Sequence, residues 1–101
     1  MHLVELFLPL KDNNGQRFDT ALYEEVRRAL TDRFGGMTSF GRTPAHGTFR
    51  DGGSVVHDDI VVYEVMVEQL DRAWWSEYRA KLEKLFAQDE IVVRATPTER
   101  L

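Results

Sequence analysis

Residues 60–67 read Ile60-Val61-Val62-Tyr63-Glu64-Val65-Met66-Val67, and this stretch decides the predicted fold. Its residues are mostly β-branched and apolar, which is typical of a strand at the centre of a sheet. Successive side chains of a strand point to opposite faces. We therefore assign one phase to a face covered by helices: Val61, Tyr63, Val65 and Val67. The other phase then lies on a second face, called here the open face: Ile60, Val62, Glu64 and Met66.

The chain on either side of this stretch predicts the remaining elements. They are a strand at 2–10, a helix at 19–34, a kinked strand at about 37–50, a return strand at 55–68, a helix at 72–88 and a last strand at 90–96. Asp51-Gly52-Gly53 is the turn between the two middle strands. This β-α-β-β-α-β order predicts a single α+β domain, residues 1–101, of the ferredoxin-like class. We expect an antiparallel four-stranded sheet, in the order last, first, third, second, with both helices on one face.

Both predicted helices carry start signals and a buried stripe. Asp19 and Asp71 are N-cap residues by type and position, and Gly35 can end the first helix in a left-handed conformation. Apolar residues at helical spacing predict the stripes: Leu22, Val26, Ala29, Leu30 and Phe34, then Trp74 or Trp75, Tyr78, Leu82, Leu85 and Phe86. Adjacent Trp residues cannot share one narrow stripe, so one should pack in the core. On the outer face we expect an ion pair between Arg79 and Glu83.

Composition excludes several classes of protein. The chain has 101 residues, 13 of them basic and 17 acidic, with a net charge of −4 and no Cys. Without Cys there are no disulfides and no thiolate chemistry, and the acidic balance argues against a nucleic-acid partner. Glu5 and Pro9 interrupt the apolar N-terminus, so we expect a strand there and not a signal peptide. No run approaches the ~20 apolar residues of a membrane span, so we expect a cytoplasmic protein with no membrane partner.

The open face predicts self-association. If the Leu-rich phase of the first strand faces the helices, then Leu3, Glu5 and Phe7 join the open phase of residues 60–67. An apolar patch containing Leu3, Phe7, Ile60, Val62 and Met66 would be large for a monomer. A twofold contact with a second copy is the simplest cover, which predicts a homo-oligomer, most simply a dimer. The alternative is that loops or the 42–55 hairpin fold over this face.

A glycine-rich arm carries the first candidate ligand-binding group: Arg42, His46, Arg50, His57, Asp58 and Asp59. Two guanidinium groups and an imidazole could hold a small anionic ligand, because Arg matches carboxylate and phosphate bidentately. His57 could then act as a general base. The alternative is a solvated hairpin. The same donors could bind a metal, but His46 and His57 are not at a recognised ligand spacing, so we predict no metal and no cofactor.

A second candidate site comprises Glu5, Glu64 and Arg94 on the open face. If the phases are right, the three side chains point the same way from adjacent strands. An ionised group on an apolar, covered face is costly unless it is paired. We therefore expect one Glu–Arg pair, with the second Glu available for proton transfer. The alternative is a purely structural ion pair that fixes the register of the sheet or of a dimer.

Four segments resemble a set of short bacterial hypothetical proteins: FGGMTSFGRTPAHG (34–47), DDIVVYEVMV (58–67), DRAWWSEYR (71–79) and QDEIVVRATPTERL (88–101). The resemblance covers most of the chain, but those proteins carry no established activity, so it implies no functional residue. At the level of the fold, size and element order are similar to the dimeric α+β barrel group. That group includes cofactor-free monooxygenases and haem-degrading enzymes as well as members without known activity, and fold alone does not decide between them.

Catalytic sequence motifs are absent, including nucleophile elbows, phosphate loops and zinc-protease signatures. The sequence therefore leaves the function unknown, with three hypotheses of different classes. The preferred one is an oligomeric small-molecule binding or non-enzymatic interaction protein. The alternative is a small cofactor-free enzyme of the α+β barrel type, using His46 or His57 with the Arg pair. The third is a module whose open face docks a different chain.

Overall fold

The computed structural model describes residues 1–42, 49–51, 54–56 and 60–101, with side chains for residues 1–38 and 60–101. Its elements are β1 (His2–Pro9), α1 (Thr20–Phe34), β2 (Thr38–Arg42), β3 (Phe49–Asp51), β4 (Ser54–Val56), β5 (Ile60–Val67), α2 (Arg72–Leu85) and β6 (Val93–Pro97). The predicted α+β class, with two helices and an antiparallel sheet, is confirmed.

The main sheet is built around β1 and β5, which pair antiparallel along their whole length. β6 adds to the other edge of β1, and the backbone of β2 adds to the outer edge of β5. The strand order is therefore β2-β5-β1-β6. Register places Val4 opposite Val65 and Leu6 opposite Tyr63, so the apolar phases of the two central strands lie on the same face.

The hydrophobic core lies on that face. Both helices pack there, because residues of α1 and α2 share one buried cluster with residues of β1 and β5. The phase assigned to the helices is thus correct for β1 and β5. The cluster comprises Val4, Leu6, Leu8, Val26, Leu30, Tyr63, Val65, Val67, Trp75, Tyr78, Leu82, Phe86 and Ile91.

The three predicted helix caps, Asp19, Gly35 and Asp71, are confirmed, whereas α2 ends at Leu85 and not at the predicted residue 88. The Asp19 carboxylate accepts the Ala21 N–H at 3.0 Å, and the Asp71 carboxylate accepts the Trp74 N–H at 3.1 Å. Gly35 adopts a φ of 80°, and its N–H donates to the Thr31 carbonyl at 2.8 Å. These contacts satisfy backbone groups that a helix end otherwise leaves unpaired.

The middle of the chain differs from the prediction. The expected kinked strand at 37–50 is two strands, because β2 joins the main sheet whereas β3 pairs with β4 in a separate two-stranded sheet. The expected return strand at 55–68 is likewise divided into β4 and β5. Residues 43–48, between β2 and β3, lie outside the described residues.

The last strand begins later than predicted, at Val93 instead of residue 90. The Ile91 N–H donates to the Glu83 carboxylate at 3.0 Å, so this residue is tied to α2 and not to β1. Its side chain is buried in the core. The connection from α2 to β6 is therefore anchored before the strand starts.

Candidate ligand site on the open sheet face

The three predicted open-face residues lie in one row across the sheet. Glu5 of β1 is directly opposite Glu64 of β5 on one side and Arg94 of β6 on the other. The Arg94 Nε donates to Glu5 Oε1 at 2.9 Å. The expected Glu–Arg pair therefore forms, and it crosses from a central strand to an edge strand.

Glu5 and Arg94 differ in how much solvent their side chains contact. The Glu5 side chain is 14% exposed, whereas that of Arg94 is 60% exposed. The guanidinium carbon of Arg94 also lies 4.8 Å from the centre of the Phe7 ring, a cation–π arrangement. Arg94 thus covers both a shielded carboxylate and an aromatic ring on this face.

Glu64 is the remaining carboxylate of the row. Across β5 its neighbour on the other side is Thr38 of β2. In the part of the chain that the structure describes, Glu64 has no hydrogen bond or ion pair. It is half-buried, so it is a carboxylate that a bound molecule or a second chain could contact.

The apolar part of the open face is smaller than predicted. Met66 is 54% exposed, but Val62 is only 2% exposed although it belongs to the same phase. Val62 is outside the buried cluster between the sheet and the helices. Leu3, Phe7 and Ile60 are half-buried. The prediction that Val62 contributes to an exposed patch is therefore wrong, because the chain itself buries it.

A cleft of about 600 Å³ opens at one end of the sheet. Its apolar wall is formed by Phe7, Pro9, Ile60, Ile91 and Val92, and its polar rim by Lys11, Asp12, Asn13, Gly15, Gln88 and Glu90. Phe7 belongs both to this cleft and to the group around Arg94. The cleft therefore continues the open face toward the turn that follows β1.

That turn has a defined structure. The Asp12 carboxylate accepts the N–H groups of Asn14 at 2.8 Å and Gln16 at 2.9 Å. Gly15 has a φ of 80°, which a residue with a Cβ rarely adopts. The sequence Asp12-Asn13-Asn14-Gly15 has the composition of a turn, but composition does not indicate that the turn forms one wall of a cleft. Sequence reasoning missed this cleft.

The glycine-rich arm is largely outside the described residues. His46, His57, Asp58 and Asp59 lie outside them, and Arg42 and Arg50 are placed in β2 and β3 by their backbones alone. Whether these six residues come together thus stays a prediction. Over residues 1–38 and 60–101, no group of three His, Asp or Glu side chains is arranged to hold a metal ion.

Of the two adjacent Trp residues, one packs in the core and the other does not, as predicted. Trp75 is 6% exposed and belongs to the core, whereas Trp74 is half-buried. Trp74 stacks on Tyr78 with centroids 4.9 Å apart, and the guanidinium of Arg33 lies 4.5 Å from its ring. Trp74 therefore packs between the two helices.

Comparisons with known proteins show the fold alone. No family model and no curated protein matches the chain. A phage SAM lyase in complex with S-methyl-5'-thioadenosine has a TM-score of 0.61 at 16% identity, over 94% of this chain and 79% of the lyase. The divalent cation tolerance protein Cut A1 from Thermus thermophilus has a TM-score of 0.60 at 14% identity, over 99% of this chain and 86% of that one.

These matches bear on the fold. The expected likeness to ferredoxin-like α+β proteins holds at the level of the fold, whereas the resemblance to short bacterial proteins stays a prediction. Within the described residues, neither helix is long and apolar enough to cross a membrane. The chain thus shares its α+β architecture with proteins of different activities.

Proposed function

We propose that this protein binds a small molecule in the cleft at the end of the sheet, and that it works as an oligomeric binding or interaction protein. The observation that carries the proposal is the cleft itself. Its volume of about 600 Å³ falls in the range of roughly 300–1,000 Å³ that is usual for ligand sites. An apolar wall with a polar rim is also the usual make-up of such sites.

The lining indicates the kind of ligand. The rim carries one basic residue, Lys11, and two acidic residues, Asp12 and Glu90, so it does not select strongly for either charge. Phe7 and Ile60 contribute apolar side chains to the wall, one of them aromatic. A neutral molecule with an aromatic ring and several hydrogen-bonding groups fits this combination. S-methyl-5'-thioadenosine, the ligand in one structural neighbour, has that chemistry and is the first probe.

The test is a titration followed by the backbone amide NMR shifts of the intact protein. S-methyl-5'-thioadenosine comes first, and a diverse set of neutral aromatic fragments follows. We expect saturable shifts at residues of the cleft, centred on Phe7 and Val92. A set in which no compound gives saturable shifts there would show that the proposal is wrong.

Paired variants localise the binding. Val92 is 50% exposed and lines the cleft, so Val92→Trp should fill it without disturbing the core. Met66→Trp is the matched control, because Met66 has a similar exposure of 54% and lies on the same face but outside the cleft. We expect Val92→Trp to abolish the shifts and Met66→Trp to keep them. Equal binding by both variants would contradict the assignment to the cleft.

A second candidate function is proton transfer by a cofactor-free enzyme. The observation that favours it is the Glu64 carboxylate, which has no described partner and lies in the same row as the Glu5–Arg94 pair. In this alternative Glu64 is the general base. A Glu64→Gln variant that binds the ligand but no longer converts it would support the enzyme; unchanged turnover would exclude Glu64 as the base.

A further inference from the structure

A second, smaller cavity lies on the other side of the sheet, between α2 and the edge strand β6. Its volume is about 230 Å³. The walls are formed by Val4, Leu70, Arg72, Trp75, Ser76, Arg79, Val93, Arg94 and Ala95. Val93 and Ala95 are in register with Leu6 and Val4 and so belong to the helix-covered face. This cavity therefore shares no lining residue with the cleft at the end of the sheet.

Apart from Arg94 of β6, which pairs with Glu5 on the open face, the polar lining of the cavity comes from one face of α2. Arg72, Trp75, Ser76 and Arg79 follow the spacing i, i+3, i+4, i+7, which brings side chains to one side of a helix. Trp75 is buried there, whereas the two arginines are exposed. The Trp75 ring thus forms one wall of the cavity. The guanidinium groups of Arg72 and Arg79 lie about one helical turn before and after it.

The two arginines have no acidic partner in the described part of the chain. The predicted pair between Arg79 and Glu83 does not form, and the Glu83 carboxylate instead accepts the Ile91 N–H at 3.0 Å. Asp71, the acid nearest to Arg72 in sequence, accepts the Trp74 N–H and lies 3.7 Å from Arg33. Arg72 and Arg79 are therefore cations without an ion pair among residues 1–38 and 60–101.

Helix stability does not explain the position of Arg72. Arg72 is the first residue of α2, where the helix dipole disfavours a positive charge. No Asp or Glu is among the described residues that line the cavity. Arg72 and Arg79 therefore concentrate positive charge beside an apolar cavity, in a chain whose net charge is −4.

We propose that this cavity binds a small organic carboxylate, with its carboxylate on Arg72 and Arg79 and its apolar part against Trp75. Guanidinium groups bind carboxylates through charge-assisted, bidentate hydrogen bonds. The Ser76 hydroxyl is a further donor at the same rim. An engineered apolar cavity of about 150 Å³ accepts benzene, so about 230 Å³ has room for an aromatic ring and a carboxylate.

The test uses sodium benzoate as the probe and benzyl alcohol as its neutral counterpart, at constant ionic strength. Binding is followed by NMR at the Trp75 indole N–H and at the amides of Val93 and Ala95. We expect saturable shifts with benzoate and at least about tenfold weaker binding of benzyl alcohol. Equal binding of the two compounds would overturn the proposal. It would mean that Arg72 and Arg79 pack their methylene groups on apolar surface and that their guanidinium groups do not bind the carboxylate.

Charge-matched variants complete the test. Arg72→Gln and Arg79→Gln each remove one cation of the cavity, and each should weaken benzoate binding at least about tenfold. Lys81→Gln removes a cation from the same helix, outside the cavity, and should leave the affinity unchanged. An equal loss in all three variants would show a general effect of net charge and would overturn the site, as would the absence of saturable shifts in the wild-type protein.

Discussion

Tyr78 illustrates what the burial of one side chain does to an ionisable group. Burial raises the pKa of the Tyr78 phenol to about 12, and the nearby negative charge of Glu25 adds to the increase. Burial also raises the pKa of Tyr23 and of Tyr63. Each phenol is therefore held in its neutral form by the fold.

This shift makes stability depend on alkaline pH. In the unfolded chain Tyr78 loses its proton near pH 10, whereas in the folded protein it keeps the proton to about pH 12. Between these values the folded state binds more protons than the unfolded state, so the free energy of unfolding decreases as pH rises. We expect urea denaturation to show this decrease across that interval, with full stability below it.

The control for this prediction is Tyr78→Phe, which removes the phenol and keeps the ring that stacks on Trp74. Its loss of stability across the same interval should be smaller than that of the wild-type protein, because only Tyr23 and Tyr63 still contribute. Identical pH dependence in the two proteins would rule Tyr78 out as a source of the effect.

The Glu5–Arg94 pair leads to an asymmetric prediction at the residue scale. Arg94→Gln leaves the shielded Glu5 carboxylate without its partner and should cost about 1–3 kcal/mol. Glu5→Gln leaves only an exposed guanidinium and should cost less than about 1 kcal/mol. Denaturation of both variants in urea measures the two costs. A larger cost for Glu5→Gln would mean that the pair does not act by compensating a shielded charge.

At the scale of elements, the helices are held by their buried stripes. Leu30 of α1 and Leu82 of α2 are both fully buried in the core. Leu30→Ala and Leu82→Ala should each lower the free energy of unfolding by about 2–5 kcal/mol, because each leaves a cavity in the packed layer. Leu22→Ala, at a half-buried position of the same α1 stripe, should cost less than Leu30→Ala. Chemical denaturation gives all three values.

The elements that were predictable are those decided by local chemistry. Asp19, Gly35 and Asp71 mark helix ends because their caps need only residues a few positions away. Strand alternation also placed Glu5, Glu64 and Arg94 in one row, since register determines which side chains are neighbours.

What sequence reasoning missed depends on contacts between distant segments. The hydrogen bond from the Ile91 N–H to the Glu83 carboxylate joins two segments that no local pattern relates, and β6 begins only after it, at Val93. The cleft beside the Asp12 turn likewise arises from how β1, β5 and the segment after α2 meet. Helical spacing and strand alternation describe one element at a time, so neither signals such contacts.

At the scale of the whole molecule, the proposed self-association now depends on Met66 and not on Val62. Met66 is exposed on the open face, so Met66→Asp should convert a homodimer to monomers without lowering the stability of the single chain. Native mass spectrometry reports the subunit count. A wild-type monomer, or an unchanged dimer in Met66→Asp, would contradict an interface on this face.

Val62→Asp is the companion variant. Because Val62 is buried within the single chain, this change places a charge in an apolar site and should destabilise the fold whatever the subunit count. A fall in melting temperature for Val62→Asp, but not for Met66→Asp, would separate the two effects.

The pairing of β1 with β6 also determines how the protein responds to force. The two strands run antiparallel, and the Thr98 N–H donates to the Met1 carbonyl at 3.1 Å, so the first and last strands begin and end at the same corner of the sheet. The hydrogen bonds between β1 and β6 lie perpendicular to the strands. A pulling force applied to residues 1 and 101 therefore acts along these bonds and breaks them one after another, starting at this corner. Pulled from these two points, the protein should be mechanically weak, and β6 should detach first.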